Sequence, residues 1–174
     1  MPKTFNKVSL NPREGLYPNP VVLVSCSHDG ADNIITLAWI GTVCSDPKLL
    51  GIGVRPSRYS HSLIKEKGEF VINQPTVELL EATEYCGTKS GRDHDKWVAT
   101  GLTKTPGKKV DVPHIAECPV SIECVVQEVF RLGVHDLFIG EIVGLERDED
   151  WKKTYDPPPL VYMGGHYGRA NLLE

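Results

Sequence analysis

The sequence predicts a mainly β protein, an antiparallel barrel with short helical (α) insertions. Strand-like runs rich in valine and isoleucine fill both ends of the chain, and short helical patterns lie between them. This order lacks the regular β–α alternation of a parallel sheet, whereas an antiparallel barrel accommodates such insertions. The length of 174 residues suggests one domain over 1–174, and 40% hydrophobic residues suffice for a core.

The first strands are expected between residues 21 and 54. Apolar, β-branched runs predict strands at Val21–Ser27, Ile34–Val43 and Leu49–Val54. Asp, Gly and Asn residues over 28–33 predict a turn, and therefore a hairpin. A second turn is expected over 45–47. Residues 1–19 are expected to be irregular because prolines and a glycine interrupt them.

The middle of the chain carries the helical patterns, and strands return after it. Helices are expected over 60–67, 76–85 and 93–100, with Ser60 and Thr76 as N-caps. A short strand is expected at Glu69–Asn73. Later strands are expected at Val120–Leu132, Leu137–Leu145 and Leu160–Met163, with a turn over 133–136 between the first two.

Composition and motifs exclude several functions. The net charge of −4 argues against a nucleic-acid partner. No apolar run approaches the roughly 20 residues that span a bilayer, and the first residues lack the apolar core of a signal peptide, so a cytoplasmic location is the default expectation. Neither a P-loop nor a G-x-S-x-G elbow occurs, and Gly51-Ile52-Gly53 lacks the third glycine of a dinucleotide fingerprint.

The cysteines do not suggest a disulfide framework or a metal site. The five cysteines are odd in number and include no C-x-x-C pair, and the six histidines show no zinc spacing. Free buried thiols are therefore expected. Cys44 is included in that expectation, because no resolving partner is visible in the sequence.

Four segments carry a resemblance to a known family. They are Asn33-x-x-Thr36-Leu37-Ala38-Trp39, Cys44-Ser45-Asp46-Pro47, the run 55–60 and the run 86–96. In this order and spacing, followed by Gly133-Val134-His135-Asp136, they resemble the flavin-reductase-like family with the FMN-binding split barrel. Within it, the flavoredoxin-like branch is the most similar. The resemblance implies a Greek-key split barrel that forms homodimers, with one FMN per subunit near the interface. It also implies electron transfer, often with NAD(P)H as donor.

A phosphate anchor is expected over 55–60. This stretch has two arginines and two serine hydroxyls at a strand-to-helix junction, where free helix amides bind anions. The resemblance implies that Arg58 and Ser60 hold the FMN phosphate, although threonine is commoner at the second position. Arg55 is a weaker candidate. The alternative is a solvated basic turn followed by a helix cap.

A larger set is implied for the rest of the flavin. It comprises Asn33, Thr36, Leu37, Ala38, Trp39, Ser45, Asp46, Pro47, Lys96, His135 and Tyr167. Backbone groups over 36–39 and 45–47 are expected at the ring, and Tyr167 is expected to cover it from its own subunit or across the interface. Lys96 and His135 are expected to stabilise the reduced flavin, His135 with a pH dependence. The alternatives are a core tryptophan, an ordinary turn, a surface lysine and a loop histidine.

These expectations lead to two functional hypotheses. The first is an FMN-dependent oxidoreductase that takes electrons from NAD(P)H. The second is a non-enzymatic FMN-binding carrier that receives electrons from a redox protein partner. A related barrel whose flavin site has been lost is a third and weaker possibility.

Overall fold

The computed structural model describes residues 3–9 and 15–173. Within them, a seven-stranded antiparallel sheet forms most of the barrel. In chain order its strands are β2 Val22–His28, β3 Ala31–Leu37, β4 Ile40–Ser45, β5 Lys48–Val54, β6 Glu69–Gln74, β9 Val120–Leu132 and β10 His135–Arg147. The hydrogen-bonded order is β3-β2-β6-β9-β10-β5-β4.

Two smaller sheets complete the β structure of the described residues. One joins β1 Asn19–Pro20, β11 Leu160–Met163 and β12 His166–Arg169, and the other joins β7 Lys104–Thr105 and β8 His114–Ile115. The helices are α1 Tyr59–Lys67, α2 Leu80–Thr88, α3 Lys96–Thr100 and α4 Trp151–Thr154, with a 3₁₀ turn at Val77–Leu79 before α2. No helix in the described part of the chain is both long and apolar enough to span a membrane.

The predicted single strand Ile34–Val43 is wrong, because the chain breaks at Ala38-Trp39 into β3 and β4. β3 pairs with β2, whereas β4 pairs with β5 at the other edge of the sheet. β3 and β4 therefore follow each other in the chain but lie at opposite edges of the sheet. The gap between these two edges is the split in the barrel. Trp39 stays connected to the second edge, since its carbonyl accepts a hydrogen bond of 2.8 Å from the Gly53 amide.

The barrel interior is filled by alternate residues of its strands, as the two-residue period of β structure requires. Phe70 and Phe138 are fully buried there, together with Ile52, Ile64 and Val24. Burying a side chain of this size contributes about 1.5–3 kcal/mol. α1 closes one end of this core with Leu63 and Ile64.

Helix starts differ from the predicted ones. Arg58, not Ser60, occupies the N-cap of α1, and it makes no side-chain capping bond. Thr76 is an N-cap as predicted, but of the 3₁₀ turn before α2, and its side chain makes no capping bond either. The helix predicted over 93–100 begins only at Lys96, because the Asp95 carboxylate accepts hydrogen bonds from the amides of Trp97 and Val98, at 3.0 and 3.1 Å.

The other strand predictions were close to the structure. The strand Leu160–Met163 is reproduced, and the strands predicted at Val21–Ser27 and Leu49–Val54 differ by one residue at their ends. β1, β7, β8 and β12 were missed. Of the irregular start predicted for 1–19, positions 1–2 and 10–14 lie outside the described residues.

Candidate functional site

A cleft runs between β3, the N-terminus of α1 and the C-terminal end of α2. It consists of two adjoining cavities of about 330 and 210 Å³ that share Ile35, Arg58 and Gly87. We call the larger one the aromatic cavity and the smaller one the basic cavity. Ligand-binding pockets of proteins have typical volumes of about 300–1,000 Å³.

The basic cavity is lined by cations and hydroxyls. Its lining includes Ser57, Arg58, Ser60, Lys89, Ser90, Arg92 and Lys96, and among the described residues that line it there is no carboxylate. α1 starts at this cavity with an N-cap whose side chain makes no capping bond, while the His61 amide bonds to the Arg58 carbonyl at 3.0 Å. Positive side chains and a helix N-terminus together form an anion site.

Asn33 fixes the position of the Ser60 hydroxyl. The Asn33 Nδ2 atom donates a hydrogen bond of 2.8 Å to Ser60 Oγ, and both residues are buried. Gly91 makes this approach possible, because a Cβ atom there would stand 2.2 Å from Asn33 Oδ1 and 2.8 Å from Tyr59 Cδ1. Asn33 therefore acts in the basic cavity and is absent from the lining of the aromatic one.

Lys96 is a buried cation, with only 4% of its surface exposed. Its Nζ atom donates to the carbonyls of Ile34 and Cys86, both at 2.7 Å. Burial lowers the pKa of Lys96 and the Arg58 charge lowers it further, while Cys86 and Cys26 oppose the shift. The surface-lysine alternative is wrong. The lysine lines the basic cavity rather than the aromatic one, so it does not lie where a ring contact was expected.

Arg92 lies at the rim of the basic cavity. Its guanidinium donates to the Ser57 carbonyl at 3.1 Å and stands 5.5 Å from the centroid of the Tyr59 ring. These contacts hold the charge over the start of α1. Arg92 therefore adds a cation to the cavity that the sequence-based site did not include.

The aromatic cavity has flat walls and exposed backbone. Its lining includes Thr36, Leu37, Ala38, Trp39, Gly53, Arg55, His135, Tyr162 and Tyr167. Residues 38–39 stand between the two strands and outside regular pairing, which brings main-chain groups to the cavity. The Thr36 side chain is fixed by α2, since its hydroxyl donates a hydrogen bond of 2.6 Å to the Thr83 carbonyl.

Trp39 is an exposed wall residue and not a core residue. It is 61% exposed, and its ring stacks on His135 with centroids 4.6 Å apart. Arg55 Nε donates to His135 Nε2 at 3.2 Å, so that nitrogen accepts and the neutral imidazole carries its proton on Nδ1. Burial, followed by the Arg55 charge, lowers the pKa of His135. At neutral pH the uncharged imidazole is therefore favoured.

Tyr167 lies in the aromatic cavity of its own chain. Its ring packs edge to face on Tyr162 with centroids 5.7 Å apart. Burial raises the pKa of Tyr167, and the nearby Glu84 and Tyr162 raise it further. Both tyrosines come from the sheet formed by the C-terminal hairpin, β11 and β12.

Ser45, Asp46 and Pro47 are not brought to the cleft. They form the turn between β4 and β5, and neither cavity includes them. Ser45 lies six positions after Trp39 along extended chain, a span of about 20 Å.

Sequence reasoning missed several residues that line the cleft. Ser57, Lys89, Ser90 and Arg92 line the basic cavity, and Tyr162 lines the aromatic one. The first four belong to the same segments that carried the resemblance, so basic residues and serines clustered beside glycine were the available signal. Tyr162 had no such signal, since only pairing between β11 and β12 places it beside Tyr167.

The thiols near the cleft are buried and have raised pKa values. Cys26 and Cys86 are buried, and burial raises their pKa values to about 12 and about 11. Cys118 and Cys124 are buried as expected. Cys44 is the exception and corrects the prediction, because it is half-buried and its thiol lies 3.3 Å from the Asp46 carbonyl. Within the described residues, no group of three or more His, Cys, Asp or Glu side chains is placed to hold a metal ion.

The fold and the cleft together define a split-barrel protein with an anion site next to an aromatic, backbone-lined cavity. The model of the flavin reductase like domain matches residues 14–171, and the chain belongs to that family. An uncharacterized protein of Archaeoglobus fulgidus is 40% identical over 143 residues, which cover 82% of this chain and 80% of that protein.

Solved structures agree with this assignment. The flavoredoxin of Desulfovibrio vulgaris superimposes with a TM-score of 0.89 at 30% identity, covering 97% of this chain and 96% of that one. An FMN-binding protein of Thermus thermophilus superimposes with a TM-score of 0.83 at 26% identity, covering 98% and 97%. The predicted fold class, a mainly β antiparallel split barrel, is confirmed.

Proposed function

We propose that this protein is an FMN-dependent oxidoreductase whose flavin lies along the cleft, with its phosphate in the basic cavity and its ring in the aromatic cavity. The observation that carries the proposal is the continuity of the two cavities through Ile35, Arg58 and Gly87. A single molecule with a dianionic phosphate at one end and a planar ring at the other fits the basic cavity and the adjoining aromatic cavity. The proposal treats 1–174 as a single flavin-binding domain.

The phosphate end is supported by charge and by hydrogen-bond donors. Arg58 and Lys96 supply positive charge, Ser60 supplies a hydroxyl held by Asn33, and α1 begins here with an N-cap whose side chain makes no capping bond. Hydrogen bonds to a charged group contribute about 1.5–3 kcal/mol each. Lys96 is already fixed by two carbonyls, so it does not have to be ordered when the phosphate binds.

The ring end is supported by its walls. The stacked rings of Trp39 and His135 form one flat wall, and the edge-to-face rings of Tyr162 and Tyr167 line the cavity as well. Bound FMN supplies the redox chemistry, accepting a hydride or electrons and passing them on. The chain's own residues bind and orient the ring, and His135, kept neutral by burial and by Arg55, offers an uncharged N–H donor at Nδ1. Arg55 places a permanent positive charge behind that histidine, which favours any negative charge that develops in the cavity.

We infer that the active form is a homodimer. An apolar groove of about 310 Å³ is lined by Trp39, Val43, Leu132, Leu137 and their neighbours on β4, β5 and β10. Trp39, Val43 and Leu132 are 61%, 53% and 61% exposed, and β4 is an edge strand. Exposed apolar surface and unpaired edges need cover. The groove shares Trp39, Gly53 and His135 with the aromatic cavity, so a second copy there would border the flavin.

The visible spectrum of the purified protein, before and after NADH and NADPH are added without oxygen, tests the proposal. We expect the absorbance bands of bound oxidised flavin, and we expect at least one donor to bleach them. Bound FMN that stays oxidised with both donors would overturn the reductase role and leave a carrier reduced by a protein partner. A colourless protein that does not bind added FMN would overturn the flavin site itself.

A further inference from the structure

The cleft has two ends that belong to different parts of the barrel. The basic cavity depends on the first turn of α1, where Ser60 lies, while one wall of the aromatic cavity depends on His135 at the start of β10. A ligand that uses both ends binds tightly only if their separation is held. The separation of the two ends therefore depends on the contacts that connect α1 to β10.

A buried hydrogen bond makes this connection. His61 Nε2 lies 2.8 Å from Asp136 Oδ2, and each residue is only 8% exposed. His61 follows Ser60 in α1, and Asp136 follows His135 in β10. Each partner is thus the direct neighbour of a residue that lines one end of the cleft.

The local structure explains why neighbours point to opposite sides. Successive side chains of a strand alternate between its faces. His135 lies outside the barrel against Trp39, whereas Asp136 and Phe138 face the interior. There the His61 ring packs edge to face on Phe138 with centroids 5.1 Å apart, which orients the imidazole toward the carboxylate.

The strand pairing extends the connection to the other wall residues. Asp136 pairs with Val54 of β5, and Arg55, which follows Val54, donates to His135. A shift of Asp136 would therefore move His135 and Arg55 together. A buried carboxylate without its partner is strongly unfavourable, so this register is held firmly.

We propose that His61 and Asp136 are positioning residues that set the distance between the phosphate end and the ring end of the cleft. This inference rests on the proposed FMN site. Neither residue lines the basic or the aromatic cavity, so their effect on a ligand is indirect. The pair should matter for a ligand that spans both ends and much less for one that uses only the aromatic cavity.

Comparison of FMN with riboflavin, which lacks the phosphate, tests this prediction. Dissociation constants of both flavins are measured for the wild type and for Asp136→Asn. We expect the FMN constant to rise about tenfold, the size of a typical coupling between sites, and the riboflavin constant to change by less than about threefold. Light scattering on the same samples verifies that the oligomeric state is unchanged.

A second buried histidine–carboxylate pair in the same chain provides the matched control. His114 Nε2 lies 2.9 Å from Glu123 Oε1, and both residues are buried far from the cleft on β8 and β9. His114→Gln should lower the melting temperature and leave the ratio of the two dissociation constants at its wild-type value. A general loss of stability is thereby separated from a loss of positioning.

A variant that removes both polar groups keeps the test valid if Asp136→Asn does not fold. His61→Leu/Asp136→Leu replaces the pair with apolar side chains, an exchange that proteins often tolerate. We expect it to fold and to lose the preference for FMN over riboflavin. An unchanged ratio in either folded variant would overturn the positioning role while the FMN site stands. A wild type that binds neither flavin would overturn the proposed function and this inference together.

Discussion

Trp39 and His135 stack with their ring centroids 4.6 Å apart and their planes inclined by 20°. The tryptophan stands at the break between β3 and β4 and its carbonyl bonds to Gly53 of β5, while the histidine begins β10, which pairs with β5, so the stack lies along one side of the split. It forms a wall shared by the aromatic cavity and the apolar groove. From this wall the cleft continues to its basic end at Arg58.

His135 is expected to titrate below the usual pH of a histidine. Burial first, and then the Arg55 charge, lowers its pKa. His135 of the unfolded chain therefore binds a proton near pH 6.5, whereas His135 of the folded chain binds it only at lower pH. The free energy of unfolding consequently falls as the pH drops below about 6.5. Replacing Arg55 with Met removes the second cause and should raise the His135 pKa, as followed by NMR of the imidazole signal. A pKa unchanged in Arg55→Met would show that burial alone sets it.

Arg58→Met is expected to weaken FMN binding selectively. The guanidinium lines the cavity proposed for the phosphate, and loss of a charge-assisted hydrogen bond costs about 1.5–3 kcal/mol, or roughly 10- to 150-fold in affinity. Riboflavin should bind almost as well as to the wild type. Arg147→Met removes the same charge from an exposed position at the far end of β10 and is the matched control. Equal losses for both flavins, measured by fluorescence quenching, would contradict the assignment.

FMN binding is expected to weaken at alkaline pH through Lys96. Burial lowers the pKa of this lysine, so its charge is lost below the pH at which a free lysine titrates. In the unfolded chain Lys96 stays protonated to higher pH, so between the two pKa values the free energy of unfolding rises with pH. Over the same range the folded protein loses the cation that a phosphate needs. The ratio of FMN to riboflavin affinity should therefore fall as pH rises, since titration of the ring affects both ligands. Lys96→Met should give a low ratio that is independent of pH.

Gly91→Ala is expected to disturb the phosphate end without touching a charge. The added Cβ would meet Asn33 Oδ1 at 2.2 Å and force apart the contact that fixes Ser60. Overpacking of this kind costs about 1–3 kcal/mol of stability, and FMN affinity should fall with it. Gly15→Ala is the control, because a Cβ at that position would have no atom within 4 Å, and its effect should stay within about 0.5 kcal/mol. Thermal unfolding and FMN titration measure both effects.

Val43→Glu is expected to convert dimers to monomers and to reduce the FMN retained through purification. It places a charge in the apolar groove, where an unpaired buried carboxylate would oppose association. Leu145→Glu changes an equally apolar, 58% exposed residue away from the groove and should leave the dimer intact. Light scattering distinguishes the two states. Dimers that persist in Val43→Glu would place the interface on another face.

Prediction from sequence succeeded where the signal is local. Apolar, β-branched runs predicted the strands around Val24 and Ile52, and the segment around Arg58, where a phosphate anchor was predicted, lines the basic cavity. The prediction of one strand over Ile34–Val43 failed at Trp39. The run there is continuously β-branched, and the break between β3 and β4 arises only because the two strands join opposite edges of the sheet. Prediction from sequence also failed for Cys44, which is half-buried and not buried, because burial depends on what packs over a residue and not on its neighbours in the chain.

By itself the sequence determined the antiparallel barrel class and the residue types that line the cleft, since β-branched runs, family-like segments and clustered basic residues are properties of short stretches of chain. Only the tertiary structure decided that Asn33 serves the basic end, that burial and then the Arg55 charge lower the pKa of His135, and that Ser45–Pro47 lie outside the cleft cavities of their own chain. The physical reason is that burial, charge state and distance depend on contacts between residues far apart in sequence, such as His61 and Asp136, which strand pairing and packing alone bring together.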